Sequence, residues 1–189
     1  MIDLSRAKLY KRVPKKRFGA ELTGVDSITW LYKISAATAD FRHGDAIAEI
    51  QVFEVLFKNE QVVKRDIAVI QKAIPYPILF LVHGKSYFIV EGELLESDRK
   101  FINGDMLMVE RRSAKLTELY EDIAAAFMPI TLRKGESIAE LVGRYKQLQA
   151  MERKIAVLQR KVDAEKQPNK RIELNEELKR FNVERESLV

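Results

Sequence analysis

The sequence predicts an α+β fold, with a mixed sheet of about five strands, packing helices and a C-terminal antiparallel helical hairpin. Three observations carry this. Residues 66–80, DIAVIQKAIPYPILF, join an amphipathic helix, a double-proline corner and an apolar strand without a spare residue. Two segments upstream have the composition and alternation of strands. From Ser137 onward, apolar residues recur at three- and four-residue steps, the spacing of a long helix.

The 189 residues divide into a basic arm over 1–20, an α+β core over 21–132 and a helical extension over 133–189. Hydrophobic residues make up 47%, enough to bury a core, while charged residues at 32% exceed the share in an average globular domain. The absence of cysteine removes disulfides and thiol chemistry. No apolar run nears the roughly 18 residues of a membrane span, and no apolar stretch follows the basic N-terminus as in a signal peptide. A cytoplasmic protein with no membrane partner is the expectation.

Charge is concentrated in the arm. Arg6, Lys8, Lys11, Arg12, Lys15, Lys16 and Arg17 face Asp3 alone, so this segment is more positive than the whole chain at +5. Pro14 and Gly19 interrupt any long helix, and Leu4, Leu9, Val13 and Phe18 can anchor the arm to a surface. Lys11, Arg12, Lys15, Lys16 and Arg17 are the candidate nucleic-acid contacts, because clustered cations neutralise phosphates without reading sequence. The competing reading is a solvated, partly docked arm.

In the core, residues 28–34 alternate, with Ile28, Trp30, Tyr32 and Ile34 on one face and Thr29, Leu31 and Lys33 on the other. Residues 47–57 form a long strand that is apolar on both faces and therefore internal. Glu49 and Glu54 on it need partners. Val63, Ile67, Ile70 and Ile74 make one helical stripe, with Asn59 as candidate N-cap. Pro75 and Pro77 push Ile74 and Tyr76 out of α geometry, so the chain leaves the helix extended. Residues 78–82 read as a strand covered on both faces, His83-Gly84-Lys85 as a turn and residues 86–90 as the returning strand. Residues 91–100 are a loop or edge, Asn103-Gly104 is a turn, and residues 106–110 are a short strand. Leu116, Leu119, Tyr120, Ile123 and Phe127 form a helical stripe that Pro129 ends.

The extension carries a seam of Ile138, Leu141, Tyr145, Leu148, Met151, Ile155, Leu158 and Val162, then a second of Leu174, Leu178, Phe181 and Leu188. Pro168 suits the first turn of the second helix. An arm of this length finds a partner in its own chain, in a second copy or in another protein.

Chemistry-bearing patterns are few. Two histidines and no cysteine leave little for metal ligation, and neither metal nor cofactor is expected. Asp40, His43 and Asp45 around Gly44 read as a polar turn. Phosphate-loop, nucleophile-elbow and dinucleotide patterns are missing from the sequence. The order of hairpin, helix and strand is that of the restriction-endonuclease core. There Asp45 would stand for the first acid and Glu49-Ile50-Gln51 for the Glu-x-Lys pair. Gln51 in place of lysine removes the cation that would orient water. The structural alternative, an ion pair between Glu49 and Lys33 on neighbouring strands, is favoured.

Five stretches carry a family resemblance. They are Pro14-Lys15-Lys16 with Phe18; Trp30-Leu31-Tyr32-Lys33-Ile34; Glu49-Ile50-Gln51-Val52-Phe53; Asp66 with Ile74-Pro75-Tyr76-Pro77-Ile78-Leu79-Phe80; and Gln167 with Asn169 through Glu173 and Asn175. Together they resemble the bacterial and archaeal domain of unknown function 4391, whose hallmark is an IPYPILF-like segment. An aromatic residue usually follows the tail glutamine, where this chain has Pro168. The family has no established activity, but its members are often encoded beside helicases and DNA methyltransferases of restriction or phage-defence type. The resemblance therefore implies a non-enzymatic accessory module that docks such a partner through the hairpin and touches nucleic-acid backbone through the arm. The alternatives are a divergent metal-dependent nuclease using Asp45, Glu49, Gln51 and Lys33, and a homodimer joined through the hairpin without nucleic acid.

Overall fold

The computed structural model describes residues 1–19 and 21–189; residue 20, the last position of the expected arm, lies outside them. The chain forms two compact units, Met1–Phe127 and Met128–Val189. The first opens with β1 (Ile2–Asp3), a 3-10 turn (Ser5–Ala7), β2 (Lys8–Arg12) and a second 3-10 turn (Lys15–Phe18). Then follow β3 (Val25–Ser35), β4 (Glu49–Phe57), α1 (Lys64–Lys72), β5 (Ile78–Val82), β6 (Lys85–Val90) and β7 (Glu93–Ser97). The hairpin of β8 (Ile102–Asn103) and β9 (Met106–Leu107) precedes α2 (Leu116–Phe127).

Strands β2 to β7 make one six-stranded sheet in sequence order, and β1, β9 and β8 make a small second sheet. Every pairing in the main sheet is antiparallel except that of β4 with β5, the two strands joined through α1. The α+β class holds. Strand β7 forms from residues read as a loop or edge, and the short strand expected over 106–110 lies in the second sheet as β9. The other addition to the main sheet is β2, drawn from the basic segment. All its residues are exposed, so it lacks the apolar alternation that marks a half-buried strand. Leu4, Val13 and Phe18 anchor the segment as expected, whereas Leu9 is 44% exposed.

Helix α1 covers one face of the sheet. Ile67 and Ile70 are fully buried in a cluster with Ile28, Phe53, Val55, Ile78, Phe80 and Val82. Opposite, Phe88 stacks on Phe127 of α2 at 5.7 Å between centroids, and Phe101 stacks on Phe127 at 4.5 Å. Two details at the start of α1 escape sequence patterning. Val63 occupies the N-cap position without a side-chain bond. Asn59 instead lies in a 3-10 turn (Lys58–Glu60) with φ 55, so it does not cap the helix. Asp66 in the first turn is 1% exposed and accepts the Gly24 N–H at 2.8 Å. A Cβ on Gly24 would collide with Val63, so this close approach requires glycine.

The corner after α1 is closed by one side chain. Proline has no N–H to offer, and the carbonyls around Pro75 and Pro77 have left the helix. The Gln71 amide nitrogen donates to the Tyr76 carbonyl at 2.8 Å and to that of Ile74 at 3.4 Å. Its oxygen accepts the Ile78 N–H at 3.1 Å. The Pro77 carbonyl then accepts the Gln51 N–H at 2.9 Å and opens the parallel ladder.

The second unit is a pair of antiparallel helices, α3 (Ile138–Ala164) and α4 (Pro168–Leu188). Ser137 and Glu140 form a capping box at the start of α3, and Pro168 sits in the first turn of α4. Leu148, Met151, Leu158 and Val162 of the seam are buried, and Leu174, Leu178 and Phe181 are half-buried. Arg144 ties the far end. It donates to Glu136 at 2.7 and 2.8 Å, to the Thr131 carbonyl at 2.7 Å, and to the carbonyls of Leu188 and Val189 at 2.7 and 3.0 Å. Among the described residues no helix is long and apolar enough to cross a membrane.

Two expected outcomes follow from these ties. Replacing Gln71 with alanine leaves two carbonyls and one N–H of the corner unpaired, and urea unfolding should register a loss of about 1–3 kcal/mol. Glu136 is held down to about 2, first by the Arg144 guanidinium and then by the Arg133 N–H. Its folded value lies below the ordinary glutamate value of 4.5, so its contribution is complete above that value and is lost as pH falls toward about 2. An NMR titration of the Glu136 carboxyl should find that low midpoint, and Arg144→Gln should return it toward the ordinary glutamate range.

Candidate functional site

The side chains facing α1 are selected by a bulge in β3. Trp30 pairs with Phe53, but Tyr32 pairs with Val52, so Leu31 is the extra residue. Successive side chains alternate across a sheet, and an inserted residue inverts the alternation beyond it. Tyr32 and Ile34 therefore lie on the face opposite Ile28 and Trp30, correcting the uniform alternation read over 28–34. The same inversion brings Lys33, paired with Gln51, onto the face of Trp30 and Phe53.

Three polar residues meet there. Lys33 Nζ lies 2.7 Å from Glu49 Oε2, and Gln51 Nε2 donates to Glu49 Oε1. Glu49 and Gln51 are 6% and 5% exposed. The Lys33–Glu49 pairing is therefore present in the fold, and both carboxylate oxygens of Glu49 are engaged.

Beside this trio lies a cavity of about 140 Å³. The sheet contributes Trp30, Gln51 and Phe53; the corner contributes Ala73, Ile74, Pro75 and Tyr76; the segment before β3 contributes Val13, Arg17 and Phe18. The Trp30 Nε1–H is committed to the Tyr32 carbonyl at 3.0 Å. Arg17 is exposed.

The basic segment sorts into engaged and unengaged cations. Arg6 pairs with Asp40 at 3.0 Å and Lys8 with Asp105 at 3.1 Å, while Lys15 donates to the Val25 carbonyl at 2.9 Å. Lys11, Arg12, Lys16 and Arg17 are exposed and have no carboxylate partner among the described residues. Beside them, Tyr32 bonds both Tyr10 at 3.0 Å and Asp105 at 2.8 Å. Burial, then the bonds to Tyr10 and Asp105, push the Tyr32 hydroxyl upward. The Tyr32 bond, then Lys8, holds the Asp105 carboxyl below its usual range.

Asp45 is used elsewhere. It accepts the Thr117 N–H at 2.8 Å and the Thr117 hydroxyl at 2.6 Å, which stitches it to the first turn of α2 and lowers its titration range. Asp40 goes to Arg6, and His43 is exposed. Among the described residues no group of three or more His, Cys, Asp or Glu is placed to hold a metal. His83, read as a turn residue, also accepts the Phe57 N–H through Nε2 at 2.9 Å. In the second unit, Gln167 precedes α4 with its N–H on Glu165, Asn169 and Glu173 are exposed, and Asn175 donates to the Arg171 carbonyl.

Of the motif residues, Trp30, Lys33, Glu49, Ile74, Pro75 and Tyr76 thus gather around one cavity and its polar wall, while Asp66, Pro77 and Phe80 build the frame behind it. A family model described as Domain of unknown function (DUF4391) matches residues 5–184. The chain belongs to this family. No curated protein and no solved structure matches it. The DUF4391 match takes in nearly the whole of both units.

Sequence reading did not find Gln71, the bulge, or the participation of Arg17 in the cavity wall. Gln71 had a signal, since an amide one turn before two prolines can supply the donors they lack. Replacing Glu49 with alanine leaves Lys33 and the Gln51 amide without their acceptor. Unfolding followed by tryptophan emission should register a loss of about 1–3 kcal/mol; unchanged stability would mean that the trio contributes nothing to the fold.

Proposed function

We propose that this protein is a non-enzymatic accessory module that binds nucleic-acid backbone along β2 and the 3-10 turn that follows it. The carrying observation is a set of four cations without carboxylate partners among the described residues, Lys11, Arg12, Lys16 and Arg17. A basic edge strand has a simpler use, since lysines there discourage strand addition by other chains. That accounts for Lys11 and Arg12 but not for Lys16 and Arg17, which lie beyond the strand. Clustered cations that no protein carboxylate neutralises suit phosphates.

The helical pair supplies a second surface. Val157, Ile172 and Val183 are exposed on it, and they suit docking to a larger protein. The resemblance to a family often encoded beside helicases and DNA methyltransferases of restriction or phage-defence type supports a partner of that kind, in the cytoplasm. The nuclease alternative is less well supported, because Glu49 spends both oxygens on Lys33 and Gln51 and Asp45 spends both on Thr117.

Fluorescence anisotropy of the full chain with a labelled mixed-sequence oligonucleotide, read between 50 and 200 mM salt, tests this reading. Four phosphate contacts give a log–log slope near about −3 and a roughly fifty- to hundredfold loss of affinity over that range. Replacing Lys11, Arg12, Lys16 and Arg17 together with glutamine should flatten the slope toward zero. A slope that survives the four substitutions would remove this edge from the interface.

A further inference from the structure

We infer that the cavity beside Gln51 receives one unstacked nucleobase, so that the nucleic acid is bound as a single strand. The inference rests on the backbone-binding reading above and names what that strand inserts.

Size restricts the occupant first. The cavity holds about 140 Å³, close to the roughly 150 Å³ engineered cavity that takes up benzene. A planar aromatic ring fits this space. The walls match a planar ring: Trp30, Phe53 and Tyr76 supply aromatic surface, and Ile74 and Pro75 supply apolar surface. Base–aromatic stacking is the common way proteins hold unstacked bases. The Trp30 N–H is already spent on Tyr32, so the indole offers a ligand ring surface and not a donor.

Gln51 supplies the polar recognition. A carboxylate can only accept, so the bond to Glu49 fixes which end of the amide is nitrogen. One amide hydrogen and the carbonyl oxygen remain for a ligand, a donor beside an acceptor. The Watson–Crick edge of a nucleobase presents such a complementary pair. Lys33 neutralises Glu49, so the wall behind Gln51 does not repel an anionic ligand. A nearly buried amide, held in one orientation by an ion pair and lining an apolar cavity, is a preformed reading group.

Charge at the cavity completes the match. Arg17 lines it, Lys16 is its neighbour in the same turn, and neither has a carboxylate partner among the described residues. Phosphates flanking an inserted base would meet these cations. A base within a duplex must first be pulled from its stack, whereas a single strand presents it at lower cost.

Trp30 is the only tryptophan in the chain, so its emission reports on the cavity directly. The full chain is titrated with oligothymidylate, oligodeoxyadenylate and an abasic oligomer of equal length and charge, and with thymidine monophosphate. The expected result is quenching of Trp30 by the thymidine ligands and at least about tenfold tighter binding of oligothymidylate than of the abasic oligomer. Gln51→Met, and independently Tyr76→Leu, should erase that difference. Equal binding of the abasic oligomer without quenching would overturn the base site and leave the backbone reading standing. Quenching by oligodeoxyadenylate as well would support the base site. Quenching by the mononucleotide with no oligomer bound would overturn the single-strand claim, and failure of every ligand would overturn both readings.

Discussion

The Gln71 amide closes a corner that the backbone cannot close for itself. Two prolines within three residues remove two donors at the point where α1 must turn into β5, and the surrounding carbonyls have already left the helix. One planar amide, with two hydrogens and one oxygen, satisfies Ile74, Tyr76 and Ile78 together. The consequence extends beyond the corner. With Ile78 held, the Pro77 carbonyl receives the Gln51 N–H, and β5 enters the sheet parallel to β4. The single parallel pairing of the main sheet, the seat of α1 and one wall of the cavity all follow from that geometry.

The bulge at Leu31 acts on the same place from the other side. Without it, Lys33 would lie on the face opposite Trp30, and Glu49 would be a nearly buried carboxylate lacking its cation. An unpaired charge at that depth costs far more than the pairing returns, so bulge and ion pair depend on each other. Lys33 holds Glu49, Glu49 orients Gln51, and Gln51 lines the cavity that Pro75 and Tyr76 enclose. A chain of this kind positions a group without making it reactive. Each polar atom nearer the carboxylate is already satisfied, which suits recognition and leaves little capacity for proton transfer or metal ligation.

The sequence disclosed what rests on periodicity. The buried stripe of α1, the apolar strand after the prolines, the amphipathic α2 and the paired seams of α3 and α4 are repeating patterns, and all are present. It concealed what rests on single residues or on wet edges. Strand β2 has no apolar alternation because both its faces are exposed, so its residues looked like a loose arm. The bulge leaves no local signature, since Trp30-Leu31-Tyr32 reads equally well as regular alternation, and only the pairing with β4 reveals the extra residue. Asp45 looked like a candidate acid because its partner, Thr117, is far away in the chain. The ion pair of Lys33 and Glu49 was legible because a carboxylate on an internal strand must have a partner and few were on offer.

Phosphate contacts and base contacts make different physical demands, and the two parts of the candidate site meet them separately. Cations along β2 and the following turn remain solvated, which suits contacts that slide, exchange with salt and carry no sequence information. Gln51 is almost fully buried and its amide nitrogen is held on Glu49 Oε1, which suits a contact that must reject the wrong partner. Rejection requires that a mismatched ligand leave a buried polar atom unpaired, a penalty that a wet, mobile side chain cannot impose. Arg17 and Phe18, adjacent in one short turn, join the two parts: the arginine continues the row of cations, and the phenylalanine belongs to the cavity wall and the core. A strand lying along the exposed cations would therefore be led to the mouth of the cavity by the chain's own covalent continuity, with no hinge or domain movement required.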